Sequence, residues 1–193
     1  MHILRAENYR RMRWKNGGGE TAEIAVSPDS AGLDDFDWRV SMATVEASGQ
    51  FSMFADVDRT LSILEGEGIL LSVEGRVPIG LTSRSDPLTF PADVATSAAL
   101  IAGPITDLNV MTRRGRYDHK VDAHQVDSAA QIYPAGRQVL IFCNSASLLV
   151  GSDGERAQLG RFDAAIVEGG GTLRIEGHGQ FLLMELSPVA DLP

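Results

Sequence analysis

The sequence predicts an all-β protein assembled from many short strands, and three observations carry that expectation. Its apolar runs are short and separated by turn residues. Glycine is abundant, at 20 of 193 residues, and clusters at turn-like sites such as Glu65-Gly66-Glu67-Gly68, Ser152-Asp153-Gly154 and Glu168-Gly169-Gly170-Gly171. Only two stretches, residues 8–13 and 91–97, read as even weakly helical. Many short strands without long helices point to a sandwich or to jelly-roll barrels.

Taken in order, strands are expected at residues 20–26, 38–45, 60–64, 68–73, 88–90, 97–100 and 107–112. A second set follows at 129–133, 138–143, 146–150, 164–167, 172–175 and 180–186. The first strand is preceded by Trp14-Lys15-Asn16-Gly17-Gly18-Gly19, where a run of glycines allows backbone to approach something closely or simply to turn. The polar stretch 116–128 reads as a loop. A faint repeat relates the halves: strand, glycine turn, strand around Gly66 and Gly68 returns around residues 139–167. Two small barrels, residues 1–115 and 116–193, are therefore expected, with one irregular sandwich as the alternative.

The length suffices to bury a sizeable core. A formal net charge of −9 argues against nucleic acid and anionic membrane as partners, because both select a basic face. Charged residues from Arg5 to Arg13 replace any secretory apolar region, and no apolar run approaches the ~20 residues of a membrane span. The expected location is the cytoplasm. The lone Cys143 sits in Val139-Leu140-Ile141-Phe142-Cys143, where a free thiol behaves as a small hydrophobe.

Leu64-Glu65-Gly66-Glu67-Gly68, followed by the Pro-flanked strand at Leu88-Thr89-Phe90, resembles the cupin superfamily, whose small jelly rolls often bind a metal. Measured back from Gly66, that family's glutamate ligand falls on Arg59. Its two earlier histidines fall within residues 52–55, where there is none, and its last histidine falls on Thr96. Transition metals require His, Cys or carboxylate donors, so neither a metal nor another cofactor is expected in the first barrel. Four further segments narrow the match: Trp14-Lys15-Asn16-Gly17-Gly18-Gly19-Glu20-Thr21, Phe36-Asp37-Trp38-Arg39-Val40-Ser41-Met42-Ala43, Asp58-Arg59-Thr60-Leu61 and Asp107-Leu108-Asn109-Val110-Met111-Thr112-Arg113-Arg114. Together they resemble the HutD/Ves family of bicupins over nearly the whole chain. That resemblance implies two cytoplasmic cupin barrels, a tie to histidine utilisation, and a role in binding a pathway metabolite and restraining pathway output.

Strand periodicity supplies a separate argument for a site. Alternation puts Asp37, Arg39, Ser41 and Ala43 on one face, and Asp107, Asn109, Met111 and Arg113 on one face of a later strand. Arg59 shares a face with Leu61 and Ile63. Arginine offers a planar, permanently charged fork that matches a carboxylate. Arg39, Arg59 and Arg113, flanked by Asp58, Asp107, Asn109 and Ser41, could ring a small acid, with Trp14, Lys15 and Asn16 closing over it. The same charges could instead form a closed ion-pair network. Asp58 is expected to position Arg59, and His119 and His124 to lie in the inter-barrel loop without binding metal.

The preferred reading is a metal-free bicupin that binds a small anionic metabolite of the urocanate or formylglutamate class. Catalysis is left open and weighted against. A metal-independent isomerase or hydrolase using Asp58 or Asp107 as acid or base is the alternative. A protein-interaction module with an acidic contact surface is a third, and a homodimer through barrel edges stays open.

Overall fold

The computed structural model describes residues 1–190, which contain no α-helix. Nineteen strands run in chain order, starting with β1 (His2–Leu4), β2 (Arg10–Arg13), β3 (Gly19–Ser27), β4 (Trp38–Val45), β5 (Gly49–Gln50) and β6 (Val57–Glu65). Next come β7 (Ile69–Val73), β8 (Ile79–Leu81), β9 (Leu88–Pro91), β10 (Thr96–Leu100), β11 (Ile105–Arg113) and β12 (Tyr117–Val126). The last are β13 (Ala129–Ile132), β14 (Gln138–Cys143), β15 (Ser147–Ser152), β16 (Glu155–Gly160), β17 (Ala164–Glu168), β18 (Leu173–Gly177) and β19 (Gly179–Pro188).

They form two compact units, each with two antiparallel sheets. Residues Arg10–Arg116 build the first, with sheet orders β2-β3-β4-β11-β6-β9 and β5-β10-β7-β8. Met1–Tyr9 and residues 117–190 build the second, with orders β1-β17-β14-β19-β12 and β13-β18-β15-β16. The division falls after Arg116, and the first nine residues, expected in the first barrel, belong with the second unit, where β1 pairs with β17.

The repeat is real at the level of topology. Adding eight to each strand number converts β4-β11-β6-β9 into β12-β19-β14-β17, and β5-β10-β7-β8 into β13-β18-β15-β16. Each unit is thus the same eight-stranded antiparallel barrel with added edge strands, β2 and β3 in one case and β1 in the other. Each unit has an apolar cluster inside its barrel. In the first unit Leu61 and Ile63 of β6 meet Ile69, Leu71 and Val73 of β7, with Leu81 and Phe90. In the second, Val139, Ile141 and Cys143 of β14 meet Leu148, Val150, Leu173, Ile175, Phe181 and Leu183. Full burial of each such side chain stabilises the fold by roughly 1.5–3 kcal/mol.

Three expectations need correction. Residues 8–13 are weakly helical only as far as a single 3-10 turn at Ala6–Asn8; the rest is strand β2, hydrogen-bonded to β3. Residues 91–97 are the end of β9, a turn and the start of β10. The stretch 116–128 is not a loop, since Tyr117–Val126 pairs along its whole length with β19. Its polar residues alternate with half-buried ones, so the amphipathic edge strand looked like linker composition. His119 and His124, five apart on this strand, therefore project to opposite faces.

Candidate functional site

The site follows from register. In β11, Asp107, Asn109 and Met111 pair with Ala43, Ser41 and Arg39 of β4, and with Ile63, Leu61 and Arg59 of β6. Directly paired residues share a face, and Leu61 and Ile63 define that face as the barrel interior. A polar strip of Arg39, Ser41, Arg59, Asp107 and Asn109 therefore runs along the inside of the first barrel. All five are buried, with Arg39 5%, Arg59 4% and Asp107 2% exposed. Bulges in β3 beside Glu23 and in β6 at Leu64, opposite Asp107, interrupt the regular ladder next to this strip.

Arg39 is already satisfied. Arg39 donates from Nε to Glu23 Oε2 at 2.8 Å and from Nη1 to Ser41 Oγ at 3.1 Å. Arg59, level with Arg39 on the other side of Met111, is satisfied only in part. Arg59 lies over two aromatic rings, with its guanidinium carbon 5.2 Å from the Phe51 centroid and 5.3 Å from that of Phe54. It donates from Nη2 to the Ser52 carbonyl at 3.3 Å, while its buried Nε has no partner. Burial lowers its pKa to about 10, with the nearby Asp107 charge opposing and Arg39 assisting that shift, so it stays cationic at neutral pH. Asp107 accepts from Asn109 Nδ2 at 2.6 Å and makes no ion pair with Arg59. Burial pushes its carboxyl up to about 7, against the Asn109 hydrogen bond and the Arg59 charge. An orphaned buried donor costs roughly 1–3 kcal/mol. A cation and a carboxyl thus share one interior without satisfying each other.

The structure separates the remaining sequence candidates from this strip. Arg113 donates to the carbonyls of Phe36, Asp34 and Ala55 at 3.0, 2.8 and 3.3 Å, so it ties loops together. Asp58 faces away from Arg59 and pairs with Arg114 at 3.1 Å instead of positioning Arg59. Lys15 and Asn16 are exposed on the β2–β3 turn, where Asn16 Oδ1 accepts from the Gly18 amide. The Gly17 amide is likewise used, by the Trp14 carbonyl, so neither amide is left for a ligand. Trp14 is nearer the strip: its Nε1 donates to Thr21 Oγ1 at 2.8 Å, and Thr21 pairs with Ala43 on the interior face. Three contributors escaped the sequence reading. Glu23 follows the same alternation as Thr21 and could have been found; Phe51 and Phe54 lie in a connection with no periodicity to expose them.

The second barrel supplies a comparison inside the same chain. Where the first has Arg59, Leu61 and Ile63, the corresponding strand β14 has Val139, Ile141 and Cys143. Where β11 has Asp107 and Asn109, β19 has Phe181 and Leu183. Arg59, Asp107 and Asn109 thus give way to packed apolar side chains, while Arg39 and Ser41 of β4 correspond to Lys120 and Asp122 of β12, which pair with each other at 2.7 Å. A recess of about 430 Å³ on the second unit, lined by Tyr117, Arg137, Gln138, Glu168 and Pro188, includes no orphaned buried polar atom. The interior strip is the stronger candidate.

A cupin metal does not fit here. The position of the family's glutamate is the buried cation Arg59, that of its last histidine is Thr96, and the described residues gather no group of three or more His, Cys, Asp or Glu.

The family model for HutD matches residues 6–184. The chain belongs to the HutD family. A 21.2 kDa protein from the hutC 3′ region of Pseudomonas putida is 37% identical over 188 residues, covering 96% of this chain and 97% of its own. Protein Ves of Citrobacter koseri is 40% identical over 109 residues, 56% of each chain. Among solved structures, HutD from Pseudomonas fluorescens SBW25 (formate condition) superposes with a TM-score of 0.83 at 34% identity, covering 98% and 99% of the two chains. The conserved protein PA5104 of Pseudomonas aeruginosa PAO1 gives 0.90 at 33%, covering 96% and 98%. The bacterial pirin YhhW of Escherichia coli, at 0.71 and 11% identity over 97% and 99%, shares the jelly-roll fold alone. The HutD and Ves relatives and the hutC neighbourhood link this family to the histidine-utilisation locus. No helix among the described residues is long and apolar enough to cross a membrane.

Proposed function

We propose that this HutD-family chain is a cytoplasmic, metal-free binding protein whose N-terminal barrel captures a small carboxylate of histidine utilisation and thereby modulates that pathway. The observation that carries the reading is the unpartnered Nε of Arg59, a buried donor on a cation inside the barrel. A ligand carboxylate would satisfy it with a charge-assisted hydrogen bond, the strongest kind available to a neutral-pH anion. Urocanate and N-formylglutamate are the acids to test. At about 100 times its dissociation constant a ligand stabilises the fold by roughly 2.7 kcal/mol, a readable thermal shift. Arg59→Ala should abolish that shift. Arg113→Ala, which removes loop-tying bonds only, should lower the melting temperature and leave ligand affinity unchanged. Equal ligand shifts in wild type and Arg59→Ala would refute the assignment.

A second reading has one observation in its favour: the Asp107 carboxyl, with a pKa near 7, is suited to general acid–base work. Asp58, paired on the outer face, is not. Turnover of a bound acid that disappears in Asp107→Asn would establish an isomerase or hydrolase; saturable binding without turnover leaves the binder.

A further inference from the structure

Inside the first barrel the charges do not cancel pairwise. Glu23 and Arg39 close on each other at 2.8 Å, leaving Arg59 and Asp107 as an opposite-charge pair that shares a face without contact. Asp107 keeps only the Asn109 hydrogen bond. The charged groups that face it are Arg59 from β6 and Arg39 from β4, with Glu23 on β3 beyond. Its direct neighbours Ala43 and Ile63 are apolar, and the opposing sheet presents Ile69, Leu71, Val73 and Ala98. Glu65 at the end of β6 accepts from the Thr106 hydroxyl.

We infer that Asp107 sets the charge of the ligand: the pocket takes a monocarboxylate whose other end offers an N–H to Asp107, and takes a dicarboxylate only with uptake of one proton. This rests on the Arg59 carboxylate site proposed above. With a carboxylate on Arg59, the far end of the ligand reaches a second, buried carboxyl. An N–H there donates to the ionised form. A second carboxylate there meets like charge in a low-dielectric interior, and the two oxygens can approach only by sharing a proton. The proton ends on Asp107 or on the ligand, between the two oxygens, and no other bond changes. Because the Asp107 carboxyl titrates near neutrality, that uptake falls in an accessible pH range.

The test is calorimetric titration of wild type and Asp107→Asn with two probes between pH 6.5 and 8.5. N-formylglutamate is a dicarboxylate whose groups ionise near pH 4, and urocanate above pH ~7 is a monocarboxylate with a neutral imidazole N–H. Expected for wild type is a formylglutamate affinity that weakens by up to tenfold per pH unit above 7, since one bound proton corresponds to that slope. Urocanate should change by less than about twofold from pH 7 to 8.5. In Asp107→Asn the formylglutamate slope should vanish. Proton uptake read on wild type alone, from binding heats in buffers of different ionisation enthalpy, repeats the test without a variant. Formylglutamate binding without proton uptake, or an unchanged slope in Asp107→Asn, would overturn this inference and leave the Arg59 site standing. Absence of binding by both acids would remove both.

Discussion

At the residue scale, Arg59 and Asp107 are costly to bury and are held without satisfying each other. Asp107 makes that cost measurable without any ligand. Its folded carboxyl titrates near 7 because burial disfavours the charge, whereas an unfolded Asp titrates near 4. Between those values the folded state holds the extra proton, so stability falls as pH rises, and the penalty above both is on the order of 4 kcal/mol. Chemical denaturation should therefore show wild type less stable at pH 8 than at pH 5.5. Asp107→Asn should remove most of that difference, because the isosteric amide keeps a polar contact to Asn109 and loses the charge. An equal pH dependence in both proteins would contradict the burial argument. Arg59 carries the complementary residue-scale fact: its guanidinium lies over the Phe51 and Phe54 rings, and the Ser52 carbonyl accepts from Nη2. Arg59→Lys keeps the charge and loses the planar fork, so ligand affinity should fall while the fold survives.

At the element scale, the glycine run before β3 separates two physical roles. Gly17 has φ +72° and open space around it, whereas a Cβ on Gly19 would lie 2.3 Å from the Thr44 carbonyl oxygen and 3.1 Å from the Trp14 ring. Gly17→Ala should cost about 1–2 kcal/mol, the ordinary penalty of left-handed backbone. Gly19→Ala has to displace a strand and should cost roughly 3 kcal/mol or more, with loss of the β2–β3 hairpin. Equal thermal melts for the two variants would show the close approach to be unimportant. The run therefore serves both roles its glycines allowed, a turn at Gly17 and a close backbone approach at Gly19. Regular strands were legible in the sequence: residues 38–45 and 138–143 match β4 and β14 end to end, because alternation or a continuous apolar run defines them. The strands that were missed are short or polar. β1, β5 and β8 have two or three residues, β2 and β16 are rich in exposed polar residues, and β12 alternates half-buried with exposed polar residues at a sheet edge. The interior strip was legible for the same reason as the strands, since period two places Arg39 with Ser41 and Asp107 with Asn109. Arg113 follows that period too, but it stands at the end of β11, where its side chain meets loop carbonyls; alternation does not encode how far along a barrel a residue lies.

At the scale of the whole chain, one topology occurs twice, and only the first copy buries an arginine and an aspartate on its two central strands β6 and β11. The second barrel fills the corresponding positions with Val139, Ile141, Cys143, Phe181 and Leu183, all buried. It is built for stability, and the first accepts a cost in stability at its polar strip. Leu183→Ala should destabilise the protein by about 2–5 kcal/mol through the cavity it leaves, without altering ligand affinity at the first barrel. The central claim, that a carboxylate docks on Arg59, is tested most directly by the ¹H–¹⁵N signal of its Nε–H, assigned by its disappearance in Arg59→Lys. Titration with urocanate or N-formylglutamate should move that signal to saturation, while the side-chain Nε–H of Arg113 stays in place. A saturating ligand that leaves the Arg59 Nε–H unmoved would contradict the account.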